Sequence, residues 1–426
     1  MILTLFLLLF LMLFLNIPVF ISLILSSMII LNFFTSIPVA IVAQRMFAGI
    51  DKFSLMAVPF FIFAANIMNK GGLAPRIVRF ANTLVGHLSG GLAFTVVLSC
   101  MFLAAVSGSA PATVIAIAVL MLPPMTKAGY GKSFTLGLII ASSSVAVIIP
   151  PSIGMIVYGS VTGTSIGKLF IAGFLPGIIY SGAFMLYSYW YAKRKRIALK
   201  QRATFKEIIE AFKEGGWALG IPVIIIGGIY GGIFTPTEAA GIAAAYAMFV
   251  ALFIYKELSL KGLLDVAFES ALSTAQIMII LAGASVFAWF LTRHQVPSQL
   301  AEILMGFGSS KLFILLIMNV ILLIAGMFLD PASIQMIMAP LFLPIAISIN
   351  IDAVHLGIIM VVNGAIGMFT PPFGLNLFVA SSISKTPLGK LVPPVIPFII
   401  ISIISLLIIT YIPTISLWLP TLLFGK

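Results

Sequence analysis

The residues of this chain that could do chemistry in an apolar setting fall in four short motifs. The segment GMFLDPASIQMIMAP (326–340) carries an acid, Asp330, beside a proline and close to Ser333. SGSAP (107–111) offers Ser107, Gly108 and Ser109, while IIPPSIG (148–154) and FTPPFG (369–374) each hold tandem prolines. Two successive prolines cannot donate main-chain hydrogen bonds and oppose helical geometry just before them, so each such motif interrupts a helix. Interruption frees carbonyl oxygens. Together with Ser, Thr and Asn oxygens they form a hard, neutral or singly negative cage suited to Na⁺. The half-helix N-termini made at the same breaks present N–H groups to an anion. The first candidate set is Ser107, Gly108 and Ser109 facing Ser142, Ser143, Ser144 and the break from Pro150 to Gly154. The second is Gly326, Asp330 and Ser333 facing Asn363, Gly364, Thr370, Gly374 and Asn376, which gives Na⁺ two sites, one at each tip.

Each residue also has a plainer role. Small residues let helices approach closely, which suffices for any one Ser or Gly taken alone. An acid at membrane depth costs a few kcal/mol without a partner, which marks Asp330 as functional, although an aspartate before a helix also caps it. Glu238 follows Thr235 in the Thr-x-x-Glu order of a capping box, and capping is the preferred reading there. Arg293 is read as a contact for an external partner or a carboxylated solute, or else as an interfacial anchor. His87, His294 and His355 show no metal-ligand spacing, and the single cysteine, Cys100, excludes an intramolecular disulfide framework. With no phosphate-binding loop and no Ser/His or paired-acid cluster, neither ATP use nor enzymatic chemistry is expected.

The elements that must position these motifs are membrane helices. The chain is 62% hydrophobic and 8% charged over 426 residues, against roughly 25% charged in soluble domains. Continuous rather than alternating apolar runs select helices over a barrel, so the fold class is an all-α polytopic membrane protein. The first segment, MILTLFLLLFLMLFL, lacks a basic leader and cleavage site and is expected to be a retained helix. Two halves match at an offset of roughly 220 residues: Pro111 with Pro331, Pro123 with Pro344, IIPPSIGMIVYG with FTPPFGLNLFVA, and SIGKLF with PLGKLV. Spans are predicted at 2–15, 17–34, 55–69, 132–160 and 169–191, then at 215–234, 237–256, 271–291, 352–383 and 391–419. Paired shorter segments at 91–123 and 311–345 read as re-entrant hairpins, and the spans carrying tandem prolines as discontinuous helices. The odd number of spans per half inverts the second, an inverted-topology repeat. Net charge +12 is read as positive-inside bias rather than nucleic-acid binding. With the basic run from Lys193 to Lys213 in the cytoplasm, only Arg45, Lys52, Lys168, Arg293, Lys311 and Lys426 of the 23 basic residues fall on the other face, and both termini lie outside.

GGIFTPTEAAG (231–241), FLDPASIQMIMAPLFLPI (328–345), GMFTPPFGLNLFVASSI (367–383), SGSAPATVIAIAVLMLPPM (107–125) and PPSIGMIVYG (150–159) together resemble the large membrane subunit of tripartite ATP-independent periplasmic transporters, in the ion-transporter superfamily of elevator-type carriers. The resemblance spans essentially the whole chain. It implies a Na⁺-driven importer of organic acids, C4-dicarboxylates and sialic acids among them, in the bacterial inner membrane. It also implies two partners, a small four-helix membrane subunit and a soluble periplasmic substrate-binding protein. No small subunit is fused at this N-terminus, so that subunit is expected as a separate chain. Residues 1–50 and 215–256 would be scaffold, 51–191 and 271–426 the moving transport domain, 192–214 a basic cytoplasmic linker, and 36–54 and 257–270 connecting arms. The rival reading is a self-sufficient Na⁺/dicarboxylate symporter of the same superfamily, which needs no binding protein.

Overall fold

The computed structural model describes residues 1–15, 17–199, 201–306 and 310–425, and among these the chain is helical with no strand. The first half contributes α1 (Ile2–Phe14), α2 (Val19–Phe34), α3 (Ala40–Ile50), α4 (Ala57–Lys70), α5 (Leu73–Val85), α6 (Gly91–Ser107), α7 (Ala110–Lys127), α8 (Lys132–Ser143), α9 (Ile153–Thr162) and α10 (Ile166–Arg194). The second contributes α11 (Phe205–Tyr230), α12 (Pro236–Phe249), α13 (Leu260–Arg293), α14 (Val296–Gly306), α15 (Lys311–Gly326), α16 (Pro331–Ser348), α17 (Ala353–Gly367), α18 (Leu375–Ser384), α19 (Leu388–Tyr411) and α20 (Thr414–Phe424). Eight described helices are long and apolar enough to cross a membrane, and these include α7 and α16.

The repeat is visible in the order of helices and in their contacts. α3 and α13, α6 and α15, α7 and α16, α8 and α17, α9 and α18, and α10 and α19 begin at matching places about 220 residues apart. Packing is reciprocal between halves: α9 lies on α16 as α18 lies on α7, and α2 lies on α13 as α12 lies on α4. The α12–α4 contact is close because α12 buries Ala239, Ala240, Ala243, Ala244 and Ala247, whose small side chains let two backbones approach.

Helix starts follow their caps. The Thr235–Glu238 capping box is formed, with Glu238 accepting from the Thr235 N–H at 2.8 Å, so Glu238 serves α12 as the sequence suggests. Asp352 caps α17 through the N–H groups of Val354 and His355.

The segmentation differs from expectation in several places, among them the start of α11 at Phe205, inside the expected 192–214 linker. Residues 257–270 are not a separate amphipathic arm. From Leu260 they are the opening turns of the 34-residue α13, because no proline interrupts the run before Arg293 and the acids Asp265 and Glu269 sit on a continuing helix. The expected last span divides at Pro413 into α19 and α20. The amphipathic α5 and the short α14 were not expected.

Candidate functional site

The first hairpin turns in two residues. α6 ends at Ser107, and Gly108 follows with φ 57°, its N–H returning to the carbonyl of Ala104 at 3.1 Å. Ser109 caps α7 by accepting from Ala112 N at 3.4 Å, and Ser107 Oγ accepts from Ser109 N at 3.3 Å. A Cβ on Gly108 would stand 2.5 Å from the carbonyl oxygen of Pro151, so this tip rests directly on the first break.

The second tip turns at Met327–Asp330. Asp330 caps α16: Oδ1 accepts from Ala332 N at 3.0 Å and Ser333 N at 3.1 Å, and Oδ2 accepts from Ser333 Oγ at 2.5 Å. The capping role is therefore formed, and the partly buried carboxylate keeps further acceptor capacity on Oδ2. This tip rests on the end of α17. A Cβ on Gly326 would lie 3.1 Å from Gly367 Cα, one on Gly367 would lie 2.5 Å from the carbonyl oxygen of Gly326, and one on Gly364 would lie 3.1 Å from Pro331 Cβ.

Both tandem-proline motifs break their helices. α8 yields to a 3-10 turn over Ser144–Val147, and the chain resumes as α9 at Ile153. Ser152 caps α9 by accepting from Met155 N at 3.4 Å while donating to the carbonyl of Val147 at 2.6 Å. α17 stops at Gly367 and α18 resumes at Leu375, with Gly374 folded tightly onto Phe369. The peptides Pro150–Pro151 and Pro371–Pro372 are both cis.

Ser142, Asn363 and Asn376 carry buried oxygens without a partner among the described residues, as Ser99, Ser181, Ser188, Ser402 and Ser416 do elsewhere in the chain. Ser142 in α8 and Asn363 in α17 occupy equivalent places, each ten residues past its helix start. Both are fully buried, and Ser142 Oγ and Asn363 Oδ1 have no hydrogen-bond partner among the described residues. The Asn363 amide nitrogen is held by Asn319 Oδ1 at 2.7 Å and the carbonyl of Ile359 at 2.8 Å, which leaves the oxygen as the free end. Asn376 repeats this pattern: Nδ2 donates across to the carbonyl of Ile140 in the other half at 3.2 Å, and Oδ1 is unpartnered. A buried oxygen without a donor costs about 1–3 kcal/mol, an expense a dehydrated cation offsets. Ser143 and Thr370 behave differently, since their hydroxyls donate to Ile139 and Ile366 in their own helices at 2.7 Å each. Gly154 lies in the first turn of α9. A Cβ there would meet Val361 Cγ2 at 3.8 Å and Gln335 Cγ at 3.9 Å, so the first break abuts α16 and α17 of the second half.

Residues 6–415 match the family described as the tripartite ATP-independent periplasmic transporter, DctM component. The chain belongs to the DctM family. It is 44% identical over 399 residues to the C4-dicarboxylate TRAP transporter large permease protein DctM of Pseudomonas aeruginosa, covering 94% of this chain and 93% of that one. It is 42% identical over 404 residues to the isethionate TRAP transporter permease protein DctMQ of Oleidesulfovibrio alaskensis, covering 95% of this chain and 64% of the longer relative. Among solved structures, the Neisseria gonorrhoeae MtrF protein superposes with a TM-score of 0.61 at 12% identity over 94% of this chain and 93% of that one, a likeness of fold.

In this DctM-family protein the hairpin tips and breaks bring together most of the residues singled out from sequence. Arg293 stands apart from them. It is the last residue of α13, exposed, and without an ion pair among the described residues. Three residues of the site were not singled out: Ser152, Asn319 and Gln335. The Pro-Ser-Ile-Gly run was itself a capping signal for Ser152. Asn319 and Gln335 lie inside apolar helices, where the uncommon amide was the available clue.

Proposed function

We propose that this chain is the large membrane subunit of a Na⁺-driven importer of a small carboxylated solute in the bacterial inner membrane, with both termini periplasmic. A soluble periplasmic binding protein delivers the solute, and a separate small four-helix subunit completes the membrane complex. The observation that carries the reading is the pair of unpartnered buried oxygens, Ser142 Oγ and Asn363 Oδ1, at equivalent places beside the two hairpin tips. Each belongs to a half-site with freed carbonyls from the adjoining break, the donor set that a Na⁺ ion takes. The N-terminus of α9, meeting the second hairpin, supplies main-chain N–H groups to a carboxylate.

Elevator-type movement is supported by the unequal seating of the two hairpins. α16 packs on α13, and Met336 reaches the crossing of α3 with α13, where a Cβ on Gly49 would overlap Ser285. The repeat-related crossing joins α4 to α13 through Asn66 and Ser270 at 2.9 Å, yet α7 does not pack there as α16 does at its own crossing. Instead a groove of about 440 Å³ lies open, lined by Phe60, Phe63, Ser270, Ala271 and Thr274. The matching face of α7 is left exposed at Ile115 and Val119. Moving the hairpin-bearing unit would seat α7 in this groove and release α16, which exchanges the side from which the site opens.

The test is uptake into proteoliposomes carrying this chain, its small subunit and the binding protein, with Na⁺ outside. Loss of accumulation when K⁺ replaces Na⁺ is expected, and equal uptake would overturn the reading. Undiminished uptake without the binding protein would leave a self-sufficient symporter.

A further inference from the structure

We propose that the side-chain amide of Gln335 is a ligand for the solute, donating from Nε2 to a carboxylate held at the N-terminus of α9. This deepens the proposed transport function and rests on it. Gln335 sits one turn after Pro331 on α16, with a relative exposure of 0%. Neither Oε1 nor Nε2 has a hydrogen-bond partner among the described residues. Buried amides in native proteins are nearly always paired, and a group with both ends unmet calls for a partner from outside the chain.

The direction of that partner follows from what stands opposite. Gln335 Cγ is 3.9 Å from where a Cβ on Gly154 would be, so the stem of Gln335 lies beside the first turn of α9. α9 is ten residues long, and its cap, Ser152 Oγ, accepts only from Met155 N. The N–H groups of Ile153 and Gly154 precede the first intrahelical bond and donate to no acceptor among the described residues. Two main-chain donors at the positive end of a helix and one unpartnered amide NH₂ thus lie on adjoining turns of α9 and α16. That is a set for an oxyanion rather than for a cation, for which the oxygens of Ser142, Asn363 and Asn376 are placed.

The repeat gives an internal control. The counterpart of Gln335 is Ile115, exposed on α7, so the shared plan of the hairpins does not require an amide here. The Gln335 amide is an addition to the second half, as Asp330 is where the first half has Ala110.

The experiment uses the complete complex in proteoliposomes, with a panel of radiolabelled carboxylates that includes C4-dicarboxylates, sialic acids and monocarboxylic acids, and compares wild type, Gln335→Leu and Gln335→Glu. Leu fills similar volume and removes an unpaired amide, so a melting temperature equal to or above wild type is expected. For Gln335→Leu, loss of a hydrogen bond to a charged group should raise KM roughly ten-fold or more with little change in the Na⁺ concentration for half-maximal uptake. Gln335→Glu, which places a negative charge against the anion, should fall further. An unchanged KM in Gln335→Leu would overturn the proposal and leave Na⁺-driven transport standing. Wild-type complex that accumulates no member of the panel in a Na⁺-dependent way would overturn both.

Discussion

Replacing Asp330 separates capping from ion coupling, because the two roles need different parts of the side chain. The cap needs an oxygen at the place of Oδ1, which accepts from Ala332 N and Ser333 N. Asparagine supplies that oxygen and ranks with aspartate as a cap, so Asp330→Asn should lose only the charge–dipole part, about 0.3–1 kcal/mol. Asp330→Ala loses the cap as well, a further cost of about 0.5–2 kcal/mol, and leaves Ser333 Oγ without its acceptor. If capping were the whole role, the Asn variant would transport as wild type and the Ala variant would melt lower. If the carboxylate helps to hold or couple Na⁺, the Asn variant should keep a near-native melting temperature. Its half-saturating Na⁺ concentration should then rise about ten-fold, equivalent to roughly 1.4 kcal/mol. The assay is a Na⁺ titration of solute uptake in proteoliposomes beside a thermal melt of the same preparation. Wild-type Na⁺ dependence in Asp330→Asn would refute the coupling role and leave the cap alone.

Ser142→Ala removes a hydroxyl that bonds to nothing among the described residues, so the melting temperature should hold while Na⁺ affinity falls; unchanged Na⁺ affinity would remove Ser142 from the ion site. Gly108→Ala forces a side chain into φ 57° and within 2.5 Å of Pro151 O, a strain of at least about 1–2 kcal/mol. It should abolish transport, and wild-type uptake would show that the first tip need not rest on its break. With Cys100 replaced by serine, cysteines at Ala116 and Ala271 should be joined by a short bifunctional thiol reagent only when the hairpins exchange seats, and joining should stop uptake. Cysteines at Ser285 and Met336 should be joined in the arrangement described above, and joining of both pairs at once in a single molecule would refute the exchange.

The sequence carried the frame because caps and breaks are written locally. Pro111 and Pro331 follow Ser109 and Asp330 as helix starters, and tandem prolines mark both breaks, so the hairpins and interrupted helices fell where the spacing put them. Long-range facts were not legible. Whether Ser142 or Ser143 keeps a free oxygen depends on which hydroxyl turns back to its own helix, and both read alike as SSS. Gln335 stood inside a quoted motif, yet its meaning comes from Gly154, some 180 positions earlier, which packs against it only in the folded chain. The continuity of α13 was missed because residues 257–270 read as a connecting arm separate from the span at 271–291. Glu269 is in fact paired with Lys70 at 2.6 Å on a helix that carries on.

The two half-sites are alike in backbone and unlike in side chains, and that difference bears on coupling. Where the first half has Ala110, Ile115, Ser142 and Met155, the second has Asp330, Gln335, Asn363 and Asn376. A pair of identical neutral half-sites holding two Na⁺ ions would carry two uncompensated positive charges in an apolar medium, where each charge costs several kcal/mol. One carboxylate at Asp330 cancels half of that, and a single solute carboxylate at the α9 N-terminus cancels the remainder. In the proposed reading the unit is neutral with two ions and one solute carboxylate bound, and the Na⁺-only form, left with one uncancelled positive charge, meets the larger desolvation penalty on moving. Asp330→Asn leaves two uncancelled charges on that Na⁺-only form, so Na⁺ flux without solute should be no higher than in wild type, and a rise in that flux would refute the charge argument.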